Sequence, residues 1–155
     1  MEAGDCNALM LAYAGVKRMR YDDLIVAQLP ATRFVLPVGQ GSMAIEVVDS
    51  IDPDLKNKIR ESVNHPETEV VLTAERAYLK KLEGGCSIPA FTLAECDGAR
   101  VQLTAGLISL DRRRIIKKIV TGKKSMRSSL GEDAGRQILE DGGRALLAEI
   151  KNSQE

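Results

Sequence analysis

"IPAFTLAECDGARVQLTAGLISL", residues 88–110, decides the fold. Two apolar runs flank Asp97-Gly98. An Asp-Gly pair between such runs is a strong hairpin signal, because glycine accepts the backbone twist that a two-residue turn demands. A third run, "RIIKKIVTG" (114–122), follows Asp111-Arg112. Ile115, Ile116, Ile119 and Val120 would also make one helical face, but β-branching, short length and Gly122 favour a strand. The expectation is a three-stranded antiparallel sheet.

Helical signals lie on both sides. Asp52-Pro53 reads as a cap and first residue, so a helix is expected over 53–63. His65-Pro66-Glu67 opens a second helix, with acidic residues in its first turn. Val70, Val71, Ala74, Ala77, Tyr78 and Leu82 then recur at helical spacing. Lys80 and Lys81 suit its last turn, and Gly84 suits the C′ position. Downstream, Ser129-Leu130-Gly131-Glu132 fits a capping box. Helical spacing runs on to Leu139, Gly142-Gly143 breaks it, and a last helix covers 144–151. The order is that of a compact α+β unit from about residue 66 to 155.

The N-terminal part is less regular. Ala8–Val16 is an almost continuous apolar run, expected to be a buried element ending in Lys17, Arg18 and Arg20. Standing so near Met1, it is expected to belong with more chain than follows, and residues 8–16 are a candidate self-association patch. "RFVLPVGQGSMAIEVV" (33–48) reads as two extended pieces around a tight loop at Gly39 and Gly41.

Composition narrows the function classes. The 155 residues carry 22 basic and 22 acidic side chains, so net charge gives no ground for a nucleic-acid or membrane partner. No apolar run approaches the about 20 residues of a membrane span. "MEAGDC" does not read as a signal peptide. Cys6, Cys86 and Cys96 are odd in number and widely spaced, against a disulfide framework or a zinc site. A cytoplasmic setting and no metal are the expectations.

Cys86 is the sharpest chemical candidate. In "KKLEGGCSIPAF" (80–91) it follows a charged helical run, with glycines before it and Pro89 after it. Glycines let a backbone approach a ligand closely, and a thiolate is a strong nucleophile. Against this, a helix C-terminus raises a thiol pKa. On spacing alone, a loop cysteine without a role is the commoner outcome. "PVGQGS" (37–42) lacks the lysine of a phosphate loop, and a plain turn is the commoner reading. The cations of "RRRIIKKIV" (112–120) have no interleaved aromatics, so a solvated sheet face outweighs a nucleic-acid platform. Arg18 has the chemistry to grip a carboxylate, though an exposed charge ending an element is the commoner case. His65 reads as a helix-start residue.

"LAYAGVKRM" (11–19), "LPVGQGSMAIE" (36–46) and "NHPETEVVLTAERAYLKKLEGGCSIP" (64–89) together resemble hydroxymethylbilane synthase, also called porphobilinogen deaminase, of tetrapyrrole and haem biosynthesis. The resemblance covers nearly the whole chain but only about the C-terminal half of that family's protein. It implies that Cys86 forms a thioether to a dipyrromethane cofactor made from two porphobilinogen molecules. The electrophile is reactive enough that no depressed thiol pKa is needed. Four more porphobilinogen units are added with loss of ammonia, and water releases 1-hydroxymethylbilane. By the same resemblance Arg18 contacts carboxylates of the pyrrole chain, Gly85 belongs to the cofactor loop, and Gly39, Gln40 and Gly41 line the substrate cleft. Residues 1–64 become the remnant of the family's second and first domains, with partial α/β segments. Residues 65–155 become the C-terminal cofactor-attachment domain, a three-stranded sheet with helices on one face. No residue here matches the family's catalytic aspartate. The chain alone is therefore expected to be inactive, and whether it carries the cofactor is open. Its expected partners are porphobilinogen, the growing polypyrrole and the missing N-terminal half. Arg20 stands where the family usually has glycine. The rival readings are one half of a split heterodimeric enzyme and a non-catalytic binding module.

Overall fold

The computed structural model describes residues 6–83 and 88–153. The chain divides into two compact units, residues 1–34 and 35–155.

In the first unit, helix α1 (Tyr13–Arg18) is followed by a 3-10 turn at Asp22–Leu24. The run at Ala8–Val16 is not buried: Leu9 is 62% and Met10 80% exposed. A six-residue helix and one turn offer no second layer for it to pack on. Arg20 adopts φ +59°, the left-handed region where glycine costs nothing.

The second unit begins with a strap, residues 35–52, that carries no strand. Gly39 and Gly41 have φ of +74° and +79°, so the expected tight loop is present. Its flanks join no sheet as strands. Helix α2 (Pro53–Val63) is capped by Asp52, whose Oδ1 accepts the Leu55 N–H at 3.0 Å. Helix α3 (Pro66–Lys81) is capped by His65, whose Nδ1 accepts the Thr68 N–H at 3.2 Å. At the other end Leu82 is buried in the core, and Glu83 takes a left-handed conformation with φ +52°. Gly84 lies outside the described residues.

Strands β1 (Ala90–Asp97), β2 (Arg100–Ile108) and β3 (Ile115–Lys123) form an antiparallel sheet in that order. Asp97 pairs with Arg100, so Gly98 and Ala99 make the turn, and Gly98 supplies φ +53°. A 3-10 turn (Lys124–Met126) runs from β3 straight into α4 (Arg127–Ile138). The expected capping box therefore fails: Ser129 already lies in the first turn and its Oγ donates back to the Met126 carbonyl at 3.0 Å. Gly142, at φ +96°, breaks the helix before α5 (Arg144–Asn152).

The core lies between one sheet face and the helices. Ala90, Thr92 and Ala94 of β1, Val101, Leu103, Ala105 and Leu107 of β2 and Val120 of β3 are all buried, and they meet Ala74, Tyr78, Ala134 and Ile138. Tyr78 is fully buried and its hydroxyl donates to the Gly106 carbonyl at 2.8 Å. The other sheet face carries Phe91, whose ring lies over Gly106, together with exposed Ile115 and Ile119. This is the expected α+β arrangement, with helices on one face.

Surface ion pairs fasten the edges. Lys124 Nζ meets Glu67 Oε1 at 2.8 Å, Arg60 meets Glu69 at 2.7 Å, Lys118 meets Asp141 at 2.7 Å, and Arg114 pairs with Glu149. The Lys124 hydrogen bond holds the Glu67 carboxyl below its ordinary 4.5, and bonds from Asn64 and Arg60 do the same for Glu69. The Arg114 bond lowers Glu149. A lowered carboxyl stabilises fully above its unfolded value and loses that contribution as pH falls through the folded one. The pairs are exposed and screened, so each contributes little. The melting temperature is expected to hold steady between about pH 6 and 8 and to fall gradually on acidification below about 4.5. A thermal scan unchanged down to about pH 3 would remove these pairs from the account.

Candidate functional site

The expected attachment residue, Cys86, falls in the connection between α3 and β1. Leu82, at the end of α3, and Ala90, at the start of β1, are both buried. Cys86 and Gly85 belong to this segment and lie outside the described residues. The other two cysteines do not compete well. Cys96 is half-buried on β1 and packs against the core, and Cys6 is half-buried in the first unit. Among the described residues no three His, Cys, Asp or Glu side chains converge as a metal-binding group.

The glycine loop is placed against the same helix. Gly39 N–H donates to Glu75 Oε2 at 3.0 Å, while Gln40 and Gly41 are exposed. Val38 packs on the core, and the Leu36 carbonyl accepts the Thr92 N–H of β1 at 3.1 Å. The strap thus covers part of the free edge of β1, which would otherwise present unpaired N–H groups. Arg18 is exposed on the last turn of α1, in the first unit. The cations of 112–120 are partly spent on acids of the helical layer: Arg114 on Glu149 and Lys118 on Asp141.

Glu75 escaped the sequence reading. It is 6% exposed and accepts both the Gly39 N–H and, through Oε1, the Ala94 N–H at 3.1 Å. The signal was present: Val71, Glu75, Tyr78 and Leu82 follow the i, i+4, i+7 stripe that faces the core. A charge on that stripe must have partners.

Comparison with known families adds an independent line. Residues 70–140 match the family model described as "Porphobilinogen deaminase, C-terminal domain", and residues 1–57 match "Porphobilinogen deaminase, dipyromethane cofactor binding domain". The chain belongs to the porphobilinogen deaminase family. A porphobilinogen deaminase of Desulfosudis oleivorans is 48% identical over 154 residues, which is 99% of this chain and 50% of that protein. One from Cytophaga hutchinsonii is 41% identical over 97% of this chain and 48% of its own length. One from Geotalea uraniireducens is 34% identical over 97% and 46%. The chain spans about half the length of these porphobilinogen deaminases. Among the described residues no helix is long and apolar enough to cross a membrane.

Proposed function

We propose that this chain is the cofactor-attachment portion of a hydroxymethylbilane synthase, with Cys86 as the residue that carries dipyrromethane. One observation carries the reading: the only cysteine in a glycine-flanked connection joins α3 to β1, inside a chain that matches both family domains. The separate family matches at 1–57 and 70–140 support a division of the chain near residue 64; the assignment of attachment to the second part rests on Cys86 alone.

The donor set fits the cofactor's chemistry. A thiol can form the carbon–sulfur bond, and a guanidinium such as that of Arg18 can pair with the carboxylates of a pyrrole chain. Bound dipyrromethane supplies the pyrrole terminus to which further pyrroles are joined. Gly39, Gln40 and Gly41 line the cleft, Gly41 offering backbone without a side chain. The chain alone does not turn over porphobilinogen, because no carboxylate here occupies the family's catalytic position and pyrrole N–H cations would go unstabilised. The exposed apolar run at Leu9, Met10 and Leu11 favours a second reading, in which the chain works as one half of a heterodimer.

The test is intact mass of the purified chain, of the chain coexpressed with an N-terminal half from a relative, and of Cys86→Ser in both settings. The expected result is unmodified chain alone, a gain of two linked pyrroles on coexpression, and no gain in Cys86→Ser. Hydroxymethylbilane formation by the 155-residue chain alone would refute its inactivity. A pyrrole adduct that survives Cys86→Ser would refute the assignment of Cys86.

A further inference from the structure

We infer that His65 is a proton-operated latch on the joint between α2 and α3. The joint is two extended residues, Asn64 and His65, between the last turn of one helix and the first turn of the next. α2 buries none of its residues, so it has little packing to hold it. Its side-chain ties to α3 among the described residues all end on one carboxylate. Arg60 Nη2 donates to both oxygens of Glu69 at 2.7 Å, and Asn64 Nδ2 donates to Oε2 at 2.7 Å. Glu69 stands in the first turn of α3, and its own N–H donates to the His65 carbonyl at 3.0 Å. The hold on α2 is therefore only as firm as that first turn. The joint falls between the two stretches that match family models, 1–57 and 70–140, and the latch does not depend on the cofactor assignment.

His65 decides whether the turn is capped. Pro66 has no N–H, which leaves Glu67 and Thr68 as the first-turn donors without a partner inside the helix. His65 Nδ1 accepts the Thr68 N–H at 3.2 Å and lies 3.0 Å from the Thr68 hydroxyl. Only an imidazole with an unprotonated Nδ1 can do this. Once both ring nitrogens carry protons the ring has no acceptor, and no rotation restores one. The imidazolium would also sit at the positive end of the helix dipole. Its charged neighbours are already paired. On α3, Glu67 would attract the imidazolium, but its carboxylate is engaged by Lys124 from the turn after β3. Glu69 is engaged by Asn64 and Arg60 and also faces Arg127 of α4. On α2, Glu61 borders the groove beside Pro66 next to the Arg60 cation. Those bonds hold Glu67 and Glu69 below the ordinary carboxylate range, so both stay ionised while a histidine titrates. His65 is exposed and is the chain's one histidine. The cap is present while its ring is neutral and is lost as pH falls through the ring's titration. The first turn then frays, Glu69 moves with it, and α2 loses its anchor.

NMR on the 155-residue chain between about pH 7.5 and 5.5 reads the latch, with the His65 ring shifts giving the midpoint. Thr68 amide protection, corrected for the pH dependence of free-amide exchange, should fall about fivefold across that midpoint, the loss expected for one helix cap. The Asn64 side-chain amide shifts and the mobility of α2 should change with the same midpoint. Leu103 protection on β2 should hold, because a helix end opens without the core. His65→Asn keeps a side-chain acceptor that does not titrate, so its Thr68 amide should stay protected and its α2 anchored at both ends of the range. Thr68 protection that is flat across the His65 titration overturns the latch. A step that survives in His65→Asn also overturns it, since another group would then be responsible. A Thr68 step with Asn64 and α2 unchanged leaves a helix cap and removes the latch. Equal loss of protection at Leu103 makes the effect global and overturns it as well.

Discussion

Gly131→Ala is expected to destabilise the second unit by about 3 kcal/mol, although alanine is the better helix former. Residue 131 lies inside α4, where exchanging glycine for alanine would by itself gain up to about 1 kcal/mol. Packing decides the sign. A β-carbon there would fall far inside van der Waals contact with the Ala74 carbonyl oxygen, 2.8 Å from Ala77 Cβ and 2.9 Å from the Tyr78 nitrogen. All three belong to α3, and two are backbone atoms, so no side-chain rotation relieves the clash. The helices would have to separate, which pulls Ala74, Tyr78 and Leu130 apart along their shared seam. Urea denaturation checks this, with Glu132→Ala on the exposed side of the same helix as the control expected to stay near neutral. An unchanged midpoint for Gly131→Ala would mean that α3 and α4 do not cross as closely as described. The result bears on the site as well, because α3 carries both Glu75 and the chain leading to Cys86.

The sheet, the helices and most of their ends were legible because local signals and core packing agree there. Asp52-Pro53, His65-Pro66 and Gly98 each act through neighbouring residues alone. Illegible features depended on what else was near in space. Ser129 has a capping pattern, but the turn after β3 starts the helix earlier. The apolar run at 8–16 reads as buried, and only three-dimensional structure shows that its own unit has no layer to receive it. Glu75 was readable in principle as a charge on an apolar stripe, but its two partners come from Gly39 and Ala94, 36 and 19 residues away. At the candidate site, "EGGCSIP" marked the cysteine through family resemblance, where spacing alone favoured a loop residue without a role.

The two faces of the sheet should answer very differently to the same kind of change. Leu103→Ala is expected to cost about 3 to 4 kcal/mol, the transfer term of a large aliphatic group plus the cavity left behind. Leu103 is 0% exposed at the middle of the central strand, between Ala94 and Val120 in register. Ile119→Ala should cost less than about 1 kcal/mol, since Ile119 is 59% exposed and pairs with Thr104 on the opposite face. Urea denaturation at several protein concentrations measures both. The comparison matters because β3 is ambiguous by composition: Ile116 and Val120 sit on one face, Ile115 and Ile119 on the other, and both faces look equally apolar in sequence. Only the register, with Leu107 opposite Ile116 and Leu103 opposite Val120, says which pair meets the helices. If Ile119→Ala cost as much as Leu103→Ala, the open face would have to be covered in solution. A cost that grew with protein concentration would then make the cover a second copy of the chain, and a cost independent of concentration would make it a segment of the same chain.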